Sequence, residues 1–140
     1  MKREAELKGL FVAELRRQLP GFILLQYATA GAPDREVIGQ GRTSRWEFKH
    51  ATPHFDSPGL QELTCTRLAS AGHCRYIIWC ESPQGNQQRT MIVGPSQLWS
   101  RRKEAQQGAV DARSLIPEAW CSGYNMAWLV EQVRKVHTSL

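Results

Sequence analysis

Apolar residues recur at helical spacing from the start of the chain. Leu7, Leu10, Phe11, Leu15 and Leu19 form one stripe, which predicts a helix over residues 3–19. Pro20-Gly21 stops it. Phe22 to Thr29 is apolar and aromatic enough for a strand, and Ala30-Gly31-Ala32-Pro33 then breaks the chain. Asp34 to Ile38 and Ser44 to His50 read as two strands around Gly39-Gln40-Gly41-Arg42, a hairpin signal. Leu60, Leu63, Arg67, Leu68 and Ala71 mark a second helix, with Asp56 or Ser57 as cap, Pro58 in its first turn and Gly72 at its end. Arg75 to Cys80, centred on Tyr76-Ile77-Ile78-Trp79, is a buried strand. Pro83-Gln84-Gly85-Asn86 turns the chain, and Arg89 to Val93 returns as another strand. Ser96 caps a short predicted helix over residues 97–106. After a loop region, Asn125 caps a final amphipathic helix carrying Met126, Leu129, Val130, Val133 and Val136.

The order is helix, three strands, helix, strand, then further strands and helices. A helix between the third and fourth strands permits a parallel crossover. The expected fold is therefore α/β, with a central mixed sheet flanked by helices.

Composition narrows the partners. The chain has 140 residues, which fits one domain over 1–140 and can bury a core without disulfides. A net charge of +5 suits an anionic partner such as nucleic acid. No apolar run approaches the ~20 residues of a membrane span. Glu14, Arg16 and Arg17 interrupt any signal-like stretch, so a cytoplasmic protein is expected. Cys65, Cys74, Cys80 and Cys121 form no CxxC and have no zinc-finger spacing; reduced, mostly buried thiols are expected.

The hairpin carries the candidate chemistry. Alternation puts Trp46 and Phe48 on one face of the second strand, and Arg45, Glu47 and Lys49 on the other. A turn centred on Gln40-Gly41 sets Asp34 opposite Glu47. One centred on Gly41-Arg42 sets Asp34 opposite Lys49. Either register puts Asp34, Glu47 and Lys49 on one face. Two carboxylates so close repel, and a hard divalent cation between them removes the conflict. Mg²⁺ suits them; it can deliver a water and stabilise charge on a phosphodiester. Lys49 is placed to orient or deprotonate that water. The competing reading is a solvated face with a cross-strand salt bridge. Arg35, Arg42 and Arg45 flank the hairpin and are candidates to grip a phosphate backbone. Arg101-Arg102-Lys103, beside Trp99, is a basic run of the same kind. His50 and His54 follow the strand as loop or edge histidines, with a general-acid role as the alternative.

At these residues the chain resembles the PD-(D/E)xK, or restriction-endonuclease-like, nuclease superfamily. Gly31-Ala32-Pro33-Asp34 matches the Gly-x-Pro-Asp break and Glu47-Phe48-Lys49 the Glu-x-Lys strand, with Gln61 early in the next helix. The pattern is most similar to virus-type replication–repair nucleases and archaeal Holliday-junction resolvases. It spans roughly residues 4–93, and residues 94–140 match nothing. The resemblance implies a restriction-endonuclease-like αβββαβ core. Asp34 and Glu47 would ligate Mg²⁺, or Mn²⁺ in its place, with the Phe48 carbonyl assisting. Lys49 would act on water. Gln61 would orient the cluster or touch the substrate. Glu6 is the first helix's candidate contribution, with Glu4 and Glu14 as alternatives. The implied activity is a Mg²⁺-dependent DNA endonuclease of phage or mobile-element type, with structure-specific action on branched or junction DNA as a finer expectation. The alternative is a non-catalytic DNA-binding module with the same fold. Junction resolution would require a two-fold dimer, for which the final helix, Trp120 and Trp128 are candidate surfaces.

Overall fold

The computed structural model describes residues 2–26, 33–56, 59–98 and 109–138; of Lys2 and residues 59–61 only the backbone is described. Helix α1 spans Lys2–Gln18. Leu7, Phe11 and Leu15 are buried, while Leu10 turns outward at 55% exposure, so the buried stripe is narrower than the sequence pattern. Strand β1 is only Ile23–Leu25. The rest of the strand expected up to Thr29 lies beyond Gln26, outside the described residues.

Strands β2 (Arg35–Gly39) and β3 (Arg42–Ala51) form the predicted hairpin. Gln40 and Gly41 have φ of 55° and 73°. This is a two-residue turn with both central residues in the left-handed region, and its twist matches that of the flanking strands. It pairs Gly39 with Arg42 and Arg35 with Trp46. One residue further out, Asp34 stands opposite Glu47, the first of the two registers.

Strand β4 (His54–Asp56) precedes helix α2 (Gly59–Ala71). Strands β5 (His73–Glu81) and β6 (Gln88–Val93) follow as a hairpin. Strand β5 returns parallel to β3, so α2 lies on the crossover between them. Strand β7 (Ala109–Asp111) pairs with β4 in a separate two-stranded sheet. A 3-10 turn at Ala112–Ser114, strand β8 (Ala119–Ser122) and helix α3 (Met126–Thr138) complete the chain. The main sheet has six strands in the order β1-β2-β3-β5-β6-β8, antiparallel except for β3 and β5. The protein is thus mixed α/β. No helix of the described residues is long and apolar enough to cross a membrane.

Alternation along the strands builds two cores. One face carries Val37, Trp46, Phe48, Ile77 and Trp79, packed against Leu7, Phe11 and Leu15 of α1 and Leu129, Val130 and Val133 of α3. The other carries Tyr76, Ile78, Met91 and Val93 under Cys65 of α2, with Phe55 and Val110 from the small sheet. Strands β4 and β7 were not legible in advance: three residues with one inward apolar side chain make no detectable period. Cys65, Cys74 and Cys80 are buried free thiols, and Cys121 is half-buried. Helix α3 starts as expected, with Asn125 Oδ1 accepting from the Trp128 amide at 2.9 Å. Only Pro95–Leu98 of the neighbourhood of the expected 97–106 helix is described, as a helical turn.

The last turn of α3 is tied to the hairpin through a buried polar network. His137 Nδ1 lies 2.9 Å from the Gly39 carbonyl, which can only accept, so Nδ1 carries a proton. Ser44 Oγ is 2.7 Å from His137 Nε2 and accepts from Trp46 Nε1 at 2.7 Å. Ser44 and His137 are almost fully buried, so this Ser–His pair is a packing device and meets no substrate.

Candidate active site

The two carboxylates of the hairpin meet where β2 begins. The amide of Asp34 donates to Glu47 Oε1 at 3.0 Å, and Asp34 Oδ2 accepts from the Phe48 amide at 3.1 Å. These reciprocal bonds continue the β2–β3 ladder with side chains in place of backbone acceptors. Lys49 Nζ lies 3.6 Å from Glu47 Oε2. Asp34, Glu47 and Lys49 are therefore brought together on the sheet face that α2 covers. The signal was the alternation plus the turn, and the turn residues supplied the register.

Burial makes this pair unusual. Glu47 is 2% exposed. Burial, and then the neighbouring Asp34 charge, push its carboxyl up to about 9, against the pull of Lys49. A hydrogen bond between the two carboxyls works in the same direction. Glu47 thus holds its proton more tightly than a free carboxyl does. Of the competing reading, the ion pair with Lys49 is present, but Glu47 is buried and does not lie on a solvated face.

Lys8 of α1 was not singled out in the sequence. Its Nζ lies 3.5 Å from Asp34 Oδ1 and 4.0 Å from Glu4 Oε2. Of the three N-terminal glutamates, Glu4 is the one linked to the cluster. Glu6 pairs with Arg3 at 3.4 Å on an exposed surface, and Glu14 is held by Arg17 and Gln18. Glu4, the alternative to Glu6, thus reaches the cluster through Lys8, while Glu6 pairs with Arg3. A helical wheel could not decide this, because the choice depends on which edge of α1 overhangs the start of β2.

Gln61 occupies the first turn of α2, but its side chain lies outside the described residues. Its neighbour Glu62 is fully buried, three residues before the buried Cys65 on the same helical face. Cys65 senses the charges of Lys49 and Asp34, and its thiol is lowered chiefly by a hydrogen bond from Cys74. Cys65 thus backs the site from α2, with the buried Glu62 one turn earlier on the same helical face. Only their three-residue spacing hinted at this.

The basic residues expected to grip DNA are partly committed elsewhere. Arg45 pairs with Glu36 at 2.9 Å, Arg35 donates to the Asp34 carbonyl at 2.9 Å, and Arg42 reaches the Val136 carbonyl at 3.4 Å. Arg101, Arg102, Lys103 and Trp99 lie outside the described residues. His50 faces away from Glu47, as the strand alternates, and contacts Glu81 at 3.0 Å. His54 is exposed beside Asp111 at 3.8 Å. Trp128 packs against the α1–α3 core, whereas Trp120 stands half-exposed on the edge strand.

No family model matches the chain, and no curated protein shows significant sequence similarity to it.

Proposed function

We propose that the protein is a Mg²⁺-dependent DNA endonuclease with a restriction-endonuclease-like core. The observation that carries the reading is the contact between Asp34 and Glu47, with Lys49 beside it. Two carboxyls forced together by a hairpin and buried are a costly arrangement, and a cation between them would relieve it. Among the described residues no group of three His, Cys, Asp or Glu gathers around a common point. Two carboxylates and a backbone carbonyl are nonetheless a sufficient set for a cation that keeps waters and binds substrate phosphate. The residues present fit Mg²⁺, with Asp34, Glu47 and the Phe48 carbonyl as its ligands.

When bound, the ion would lower the pKa of a water and neutralise charge on the phosphodiester. The chain's own contribution is positional. The turn at Gln40-Gly41 fixes the register, and the ladder through the Asp34 and Phe48 amides orients both carboxylates. Lys49 is placed to hold the attacking water or take its proton. Lys8 pairs with Asp34 at 3.5 Å; a cation held by Asp34 would compete for that carboxylate and would free the ammonium for phosphate. Within the main sheet the order is helix, three strands, helix, strand, with one parallel pair across the α2 crossover; this supports the same reading, although the short strand β4 intervenes before α2 and pairs outside that sheet.

The test is purified protein against single-stranded, duplex, flapped and four-way DNA. Cleavage is expected with Mg²⁺ or Mn²⁺ and none in chelator. Asp34→Asn should abolish it while leaving the circular dichroism spectrum intact. Undiminished cleavage by folded Asp34→Asn would remove this site from the reaction.

A further inference from the structure

A second feature lies on the same sheet face as the carboxylates. Lys49 pairs with Ile78, Ile78 with Met91 and Met91 with Trp120. These four residues form one row across the sheet, so their side chains share a face. Three strand spacings put the backbone of Trp120 about 14 Å from that of Lys49.

Trp120 is 51% exposed on the edge strand β8. The Arg89 guanidinium lies 4.5 Å from its ring centroid. This pair borders a cavity of about 950 Å³, walled also by Asn86, Gln88, Arg113 and Ser122. Glu81, which also borders the cavity, is held by His50, and Asp111 beneath Arg113 is neutralised by it at 2.8 Å. Among the described residues Arg89 makes no ion pair. The cavity therefore offers an exposed aromatic plane, a cation and several amides and hydroxyls, and it has room for a nucleotide.

We propose that this cavity binds an unpaired nucleotide of a single-stranded or branched DNA. The base stacks on the Trp120–Arg89 pair. Arg89 meets the phosphate, and Asn86, Gln88 and Ser122 face the base edges or sugar. An exposed indole with a stacked guanidinium suits a base plane, since every base has a π-face and stacking does not require a particular sequence. An intact duplex keeps its bases inside the stack and gains little there. The inference rests on the nuclease reading for its DNA ligand and deepens it. It places a single-strand subsite three strands from the scissile position and predicts a preference for flaps, junctions or frayed ends.

The test is fluorescence anisotropy with labelled oligodeoxythymidylate and with a duplex of equal length, both in chelator, so that no cleavage is needed. Trp120→Ala should weaken oligodeoxythymidylate binding on the order of 10-fold and leave duplex affinity within about two-fold of wild type. Trp120→Phe, which keeps a stacking plane, should recover most of the loss. Arg89→Ala should weaken single-strand binding and reduce its salt dependence by about one phosphate contact. Unchanged single-strand affinity in folded Trp120→Ala would overturn the proposal. So would an equal loss on duplex, or tighter binding of oligouridylate than of the deoxy-oligomer. The nuclease reading fails separately: selective, Trp120-dependent binding without Mg²⁺-dependent cleavage keeps the subsite and removes the chemistry.

Discussion

Replacing Glu47 with Gln should make the protein more stable while removing the proposed Mg²⁺-dependent cleavage. In the folded chain this carboxyl is held near 9, whereas the unfolded chain releases its proton near 4.5. Between those values the folded state binds one more proton than the unfolded state. Stability contributed by this group therefore falls as pH rises through the window, by up to about 1.4 kcal/mol per pH unit. From pH 5 to pH 8 the loss reaches on the order of 4 kcal/mol as an upper bound, a large part of a typical domain's stability. Glutamine keeps an acceptor for the Asp34 amide and a donor toward the Asp34 carboxylate, and it cannot ionise. Glu47→Gln should then match wild type near pH 5 and exceed it near pH 8. At roughly 3 °C per kcal/mol for a domain of this size, the gain is around 10 °C in Tm. The assay is thermal denaturation followed by circular dichroism, in chelator, from pH 5 to pH 8. Mg²⁺ added to wild type at pH 8 should recover much of the difference and do little for the variant. Parallel Tm profiles for the two proteins would refute the argument, because they would mean that Glu47 ionises freely in the fold.

Three further outcomes follow from the site. Lys49→Ala should keep near-normal DNA affinity in Ca²⁺ while single-turnover cleavage in Mg²⁺ drops about 10²-fold or more; Arg should not rescue, since guanidinium keeps its proton, and equal loss of affinity and rate would make Lys49 a phosphate clamp. Lys8→Met should tighten Mg²⁺ binding several-fold in calorimetry, because the Lys8 ammonium competes with the cation for Asp34 Oδ1; unchanged affinity would show that Lys8 does not guard the carboxylate. Changing Arg101, Arg102 and Lys103 together to Ala should flatten the dependence of DNA affinity on salt, and an unchanged slope would place the run away from DNA.

The legible part of this molecule was the part with a strong local rule. Gly39-Gln40-Gly41-Arg42 marks a tight hairpin turn, and either of its two registers puts Asp34, Glu47 and Lys49 on one face; the choice between them came only with the left-handed Gln40-Gly41 pair. The buried strand around Tyr76-Ile77-Ile78-Trp79 was equally plain, because a run of apolar residues bounded by turns has few other uses. What stayed hidden depended on contacts between distant segments. Lys8 is a polar helix residue whose importance comes from where α1 crosses the hairpin. Trp120 looked like core or interface because no pattern marks β8, a four-residue edge strand, as a strand. Arg45 looked free until Glu36 was placed beside it across the ladder. The protonation of Glu47 was also invisible, since it needs the depth of burial supplied by β5 and α2.

The single parallel pairing has a consequence for how the molecule assembles. Strands β1 to β3 form a meander within residues 23–51, and β5 and β6 a hairpin within residues 73–93. Each closes short loops and can form quickly. Joining them requires Ser44 to find His73 across the β4–α2 connection, so the loop-closure entropy falls on this step. Asp34 and Glu47 already face each other in the isolated meander, where water still solvates both. Their conflict begins only when β5 and α2 dock and drive that water out. The electrostatic cost of the site therefore falls on the docking of these two halves and not on the formation of either. A chain that carries Glu47→Gln should dock and stay docked at a pH where the native sequence hesitates.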